Sequence, residues 1–203
     1  MQRRPRGRPS AGTESGRDRL LAAGLELFSR SGFAATTVED LVAAAGVTAP
    51  ALYHHFGTKA GLYVAVAEQV YQAVLDRHEE MLARASSFAE AIDGLMELAV
   101  VMRREQPLLS PMFLSVVIDT QRNPDLRAQL QPTLRTLRRF FDRFAALAPA
   151  ELRATPRAER SLARALVTLL NGLSISASLS PSLHDYTDTV ASLHGLLERG
   201  SQS

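Results

Sequence analysis

Residues 36–62, TTVEDLVAAAGVTAPALYHHFGTKAGL, decide how this chain is read. The stretch predicts a short helix, a sharp turn, a second short helix and the start of a third. Thr37 is placed to cap a helix whose apolar residues Val38, Leu41 and Val42 share one face, and Glu39 and Asp40 lie in its first turn, where carboxylates suit the positive end of the helix dipole. Gly46 ends that helix, because glycine takes the left-handed closing conformation at least cost, and the turn brings Val47 back toward the core. Thr48 caps the second helix. Pro50 falls in its first turn, where a missing N–H costs little, and Leu52 and Phe56, four apart, point inward together. Ala49, Pro50, Tyr53 and His54 are left facing out.

Two small residues, a phenol and an imidazole make an outward face unlike a solvated one, which is normally charged; such a face suits contact with a partner. Two helices joined by a tight Gly-containing turn form the helix-turn-helix, whose second helix fits the DNA major groove and offers its N-terminal residues to base edges. A helical hairpin can also be plain core. His54 and His55 raise a metal site, but neighbouring helix residues point about 100° apart, and no Cys or carboxylate stands at a ligand-like offset such as H-x-x-x-H. No metal and no cofactor is expected, and His55 is read as a packing or backbone-bonding residue.

The string AGVTAPALYHHFGTKAGL, preceded by TTVEDLVAA, resembles the signature of the TetR family of bacterial transcription regulators. The residues that carry the resemblance are Thr37, Ala44, Gly46, Val47, Leu52, Tyr53, Phe56, Lys59 and Leu62, all in the N-terminal part of the chain. It implies that helices two and three read an operator and that helix four begins at the Lys. The DNA-contacting set is then Thr37, Thr48, Ala49, Pro50, Tyr53, His54 and Lys59. Thr37 and Thr48 suit phosphate oxygens at helix N-termini, Tyr53 has a rigid ring ending in a hydroxyl, and Lys59 supplies a flexible point charge. His54 corresponds to a base-facing or phosphate-facing residue. The chain departs from the family at Ala51, often Thr, and at Pro50, often Gly or polar. Those departures leave methyl and ring surface, suited to a thymine methyl, and few hydrogen-bond donors.

The chain has 203 residues, enough for one sizeable core or two small domains, with an ordinary globular composition. It has no cysteine, which excludes disulfides, thiolate metal sites and Cys nucleophiles. Nothing marks secretion, since Ala22–Phe28 contains Glu26 and is amphipathic, and a cytoplasmic protein is expected. The uncharged run 165–183 carries Asn171, Gly172, several serines and Pro181, and reads as buried helix rather than a membrane span. The net charge of +2 hides an asymmetry: through Lys59 there are eight basic and five acidic residues, and beyond it fifteen and sixteen. The basic excess lies at the reading end. Residues 1–13, with Arg3, Arg4, Arg6 and Arg8 among Pro, Gly and Ser, are expected to be a disordered basic arm that is solvated when free and able to follow phosphates or enter the minor groove on DNA.

Helix one is expected from near Arg17 to Ser29, stopped by Gly32, with Phe33 as a core plug after it. Helix four, capped by Thr58, should carry Leu62, Val66, Val70, Val74 and Met81 on one stripe over roughly twenty-five residues, about 37 Å. Ser87-Phe88-Ala89-Glu90 is a capping box opening a helix that closes before Pro107, with Ile92, Leu95, Met96, Ala99 and Met102 inward. Ser110-Pro111 opens MFLSVVI, for which a buried strand is the rival to a helix. Asn123-Pro124 caps the next helix, which Pro132 should kink or split before the stripe Leu134, Leu137, Phe140, Phe141, Phe144 and Leu147. Thr155-Pro156 opens the eighth helix and Pro181 marks its end.

In the last two helices, Leu162, Leu166, Leu169 and Leu173 are spaced four, three, four, and Tyr186, Val190, Leu193 and Leu197 repeat that spacing. On spacing alone both seams fit inside one subunit's core. The resemblance implies instead a homodimer through a four-helix bundle, with small Gly172, Ser176 and Ala177 allowing close approach. It also implies that helix four transmits ligand state, and that helices four to eight enclose an effector cavity. Met96, Met102, Met112, Phe113, Phe140 and Phe144 are candidates to line it, with Asn171 or His78 orienting a polar group, which suits a small apolar or aromatic effector.

The expected fold is therefore all-α with about nine helices: the arm 1–13, a helix-turn-helix DNA-binding domain 14–57, and a ligand-binding and dimerisation domain 58–203. The function implied is a homodimeric regulator, a repressor released from its operator by a small molecule, with no membrane partner. A small helical enzyme would need convergent acids, bases or a metal, and neither a His/carboxylate cluster nor a nucleophile with a base is found. A nonspecific DNA-coating protein would need a larger basic excess.

Overall fold

A computed structural model describes residues 15–200, side chains of 198–200 excepted. The expected basic arm lies outside the described residues. Those described form nine α-helices and no strand: α1 Gly16–Ala35, α2 Val38–Ala45, α3 Ala49–Phe56, α4 Lys59–Arg84, α5 Phe88–Glu105, α6 Leu109–Arg122, α7 Pro124–Ala146, α8 Pro156–Leu179 and α9 Leu183–Gly200. The MFLSVVI segment is helix. A 3-10 turn over Ala150–Arg153, with no counterpart in the sequence expectations, precedes α8.

Side chains start most helices where the sequence places them. Ser15, Thr37, Thr58, Ser87, Asn123 and Thr155 each accept a bond from a backbone N–H of the helix they open, which satisfies donors that would otherwise be orphaned. Gly32 breaks α1 at φ 72°, ψ 178°, as expected of the residue that stops it. Four details differ from expectation. The Glu90 carboxylate bonds Ser86 N–H and Oγ rather than closing the box on Ser87, and this lowers its pKa. α6 begins at Leu109 with no side-chain cap. α7 runs unbroken through Pro132, because a proline on the exposed side loses one bond without disturbing the buried stripe Leu130, Leu137, Phe140, Phe141 and Phe144. Leu147, just past the end of α7, is exposed.

One continuous buried cluster runs from Leu20 and Leu52 at one end to Ala177 and Val190 at the other. α4 threads it, packing against α1 and α3 near its start and against α5, α6 and α7 further along. Its buried stripe is wider than the sequence stripe, adding Tyr63, Tyr71, Leu75 and His78, while Met81 is half-buried. α6 lies directly on α1, so head and body share packing through two helices rather than one.

The two terminal seams are largely consumed inside this subunit. Leu166, Leu173, Tyr186 and Val190 are buried; Leu162, Leu169 and Leu193 are half-buried; only Leu197 is exposed. The spacing marks the stripe facing α5, α6 and α7. α8 is long and apolar enough to cross a membrane by length and hydropathy, and the expectation of a buried helix holds for one side of it. On the other side Gly172, Ile175 and Leu179 face solvent, with Leu179 75% exposed.

Candidate functional site

The helix-turn-helix is set by three caps. Thr37 and Asp40 form a reciprocal box: Thr37 Oγ1 accepts from Asp40 N–H, while the Asp40 carboxylate accepts from Thr37 N–H at 3.0 Å and from its hydroxyl at 2.6 Å. Those bonds from Thr37 hold the Asp40 carboxyl below its usual range. Gly46 closes α2 at φ 60°, ψ 41°, and Val47 N–H reaches Val42 O at 3.0 Å, the left-handed cap that glycine favours. Gly57, also at positive φ, ends α3, and Thr58 starts α4.

α3 is anchored from behind. Leu52 is fully buried and Phe56 half-buried against the same cluster, while Tyr53, 51% exposed, and His54 point to solvent with Thr48 and Pro50; Ala49 is half-buried. Among the described residues the side chains of Tyr53 and His54 make no hydrogen bond to the protein. Their outward face is therefore free to meet a nucleic-acid groove. The Thr48 hydroxyl makes no capping bond, and Ala51 stands where α2 has Asp40, so no carboxylate engages it from the N3 position. The start of α3 thus carries an open hydroxyl and no competing carboxylate, which suits a phosphate oxygen.

Two residues differ from their expected roles. Thr37 has both hydroxyl and N–H engaged by Asp40, so α2 caps itself. Lys59 is half-buried: Nζ donates to Thr36 O at 2.7 Å and Phe33 O at 2.9 Å, and lies 4.3 Å from the centre of the Phe33 ring. It clamps the link between α1 and α2 instead of offering a free charge. His55, read as a packing or backbone-bonding residue, is exposed, with its ring packed edge-on to His54 and Phe56. Reading for motifs overlooked Arg17 and Arg19 on α1. The exposed Arg17 has its guanidinium 5.5 Å from the Phe56 ring, beside α3, and Arg19 Nε donates to Ala45 O at 3.0 Å. Only the three-dimensional approach of α1 to α3 shows that Arg17 stands beside the C-terminal end of α3.

A second candidate site lies in the body. α4, α5, α6, α8 and α9 converge on a cavity of about 30 Å³, room for one or two waters. Val74, His78, Met102, Phe113, Leu173 and Tyr186 are among its walls. Of the expected lining, Met102, Phe113 and His78 reach it. Met96, Met112, Phe140 and Phe144 are core packing beyond its walls, and half-buried Asn171 does not line it. Tyr186, read from spacing as a seam residue, is a wall instead. Burial lowers the His78 pKa below its ordinary value and pushes the Tyr186 phenol up to about 12, so both groups are neutral near pH 7.

A hub joins this body to the reading head. Asp119 on α6 accepts from Tyr63 Oη on α4 at 2.9 Å and from Phe33 N–H, just after the Gly32 break, also at 2.9 Å. Burial raises the Tyr63 pKa, with Asp119 adding to the effect.

Residues 20–66 match the family model described as bacterial regulatory proteins, tetR family. The chain is 28% identical over 116 residues to the HTH-type transcriptional regulator CymR of Pseudomonas putida, covering 57% of this chain and 56% of CymR. It is 35% identical over 81 residues to the HTH-type transcriptional repressor KstR2 of Mycolicibacterium smegmatis, covering 40% of each. The chain thus spans about half the length of these curated relatives in the matched regions. In three dimensions it is similar to a TetR family transcriptional regulator from Agrobacterium tumefaciens, with a TM-score of 0.72 and 15% identity over 89% of this chain and 96% of that one. A transcriptional regulator from Rhodococcus aligns with a TM-score of 0.70 and 22% identity over 92% and 97%. These relatives are regulators rather than enzymes. Residues 20–66 thus resemble the tetR family of bacterial regulatory proteins, and the fold of the whole chain is similar to that of solved regulators.

Proposed function

We propose that this protein is a cytoplasmic, homodimeric, DNA-binding transcriptional regulator, a repressor that leaves its operator when a small, largely apolar effector occupies the body. The observation that carries the proposal is α3: Leu52 sunk in the core, and Thr48, Pro50, Tyr53 and His54 presented on the opposite side. The proposed contacts are Thr48, Tyr53 and Arg17 to phosphates, and Ala49, Pro50 and His54 to base edges. Residues 14–57 act as the reading head and 58–203 as the effector and dimer portion. The apolar walls of the cavity and their contact with α4 and α6, the two helices that touch α1, support effector control. An effector can shift the equilibrium only by binding the released arrangement more tightly. That KstR2 is named a repressor supports the sign of regulation.

Selection of genomic fragments by the purified protein, followed by anisotropy titration, tests the proposal. A defined palindrome should emerge and bind about 10³-fold or more above random DNA. His54→Ala should change which sequences are preferred. Equal loss on operator and random DNA would remove His54 from base readout, and no enrichment would overturn the proposal.

A further inference from the structure

The cavity among α4, α5, α6, α8 and α9 carries hydrogen-bonding groups without protein partners. His78 Nδ1 lies 2.7 Å from Val74 O; a carbonyl can only accept, so Nδ1 bears the proton, and in the neutral ring Nε2 is left as a bare acceptor. Its residue is only 3% exposed, and among the described residues Nε2 has no bonding partner. Tyr186, 1% exposed, likewise has a hydroxyl with no partner. Neither atom is sealed, because the one fully enclosed and unpartnered side-chain polar atom among the described residues is Arg103 Nε. Both atoms therefore keep some accessible surface, and both residues line this cavity. One group is an obligatory acceptor and the other a neutral donor. No charged side chain lines the walls. A carboxylate oxygen set against His78 Nε2 would place lone pair against lone pair; Arg103 acts on the Tyr186 phenol but does not line the walls.

Building on the proposed regulatory function, we infer that the effector is an uncharged, mainly apolar molecule bearing a hydroxyl group, whose O–H donates to His78 Nε2 and whose oxygen accepts from the Tyr186 hydroxyl. At about 30 Å³ the cavity admits no such molecule unchanged, so entry must separate its walls. α4 and α6 are two of those walls, and both lead to the head.

Calorimetric titration of the full chain with 4-ethylphenol, ethylbenzene and 4-ethylbenzoate tests the inference. The phenol should bind about tenfold or more tighter than either analogue, since each analogue leaves a buried polar group unmet or brings an unpaired charge. Tyr186→Phe and His78→Phe should each bring the phenol to within about threefold of ethylbenzene while leaving ethylbenzene itself unchanged. Ethylbenzene or the benzoate matching the phenol, a preference that survives both substitutions, or no binding of any probe up to its solubility would overturn it. The comparison of three probes on the unaltered chain does not depend on either variant folding. Operator affinity is read separately by anisotropy. A chain that prefers the phenol yet selects no operator supports this site and defeats the regulatory reading alone.

Discussion

Lys59 shows how a residue placed at the reading end can act on the fold instead. Its ammonium is held by two carbonyls and a ring face in the link after Gly32, and charge-assisted bonds of this kind are worth more than neutral ones. Lys59→Ala should cost about 1.5–3 kcal/mol in urea unfolding and leave the salt dependence of DNA binding unchanged. Arg17→Ala should flatten that dependence by about one unit, as loss of one phosphate contact does. The reverse pattern would return the phosphate role to Lys59. The motif string places Lys59 at the start of α4 correctly. What it could not show is that Phe33 and Thr36, more than twenty residues earlier, aim their carbonyls at the same ammonium. Thr37 was more legible: T-V-E-D is itself a capping-box pattern, and it already implies that Asp40 occupies the hydroxyl. His78 adds a pH signature. Its folded pKa lies below the ordinary 6.5, so as pH falls through about 6.5 the unfolded chain takes up the proton first and stability drops. Above that value the contribution is fully present. His78→Phe should remove this share of the slope in unfolding free energy between about pH 7 and 5.

Among the helices, the contact of α6 with α1 joins body to head independently of α4. Besides the Asp119 bonds to Phe33 N–H and Tyr63, Ser115 Oγ donates to Phe28 O at 3.1 Å and Ser29 Oγ to Leu108 O at 3.3 Å. The Tyr63 ring lies edge-on to both Phe28 and Phe33, so α1, α4 and α6 meet in one aromatic and carboxylate node. Asp119→Ala strands a buried phenol and a backbone N–H, and should cost about 2–4 kcal/mol. In a double-mutant cycle with Tyr63→Phe the coupling should be about 0.5–3 kcal/mol; additive losses would mean that the two side chains act independently. None of this was legible beforehand. Caps and stops announce themselves locally, which is why Asn123 before α7 and Pro181 after α8 were readable. Asp119 lies near the end of an apolar run, and its partners are 56 and 86 residues away. A buried carboxylate looks like a surface one until the elements around it are placed.

At the level of the whole molecule, the proposed homodimer needs apolar surface that the subunit leaves uncovered on α8 and α9. The sequence spacing points to Leu166 and Leu173, but those are buried within the subunit, so a charge at Leu166 should unfold the chain and report nothing about assembly. The uncovered apolar residues are Ile175 and Leu179 on α8 and Leu196 and Leu197 on α9, with exposed Gly172 allowing a neighbouring helix to approach. A second copy related by a two-fold axis would bury exposed residues of α8 against their own counterparts and could set the two α3 helices one DNA turn apart, about 34 Å. The pair Ile175→Glu and Leu179→Glu should therefore leave helix content and unfolding midpoint close to those of the unaltered chain, because neither side chain is in the core. Sedimentation should show monomers, and operator affinity should fall by about 10²-fold or more as the second half-site contact is lost. An intact dimer with those two charges present would place the interface on another surface. Monomers that still bind the operator at full strength would mean that one head suffices.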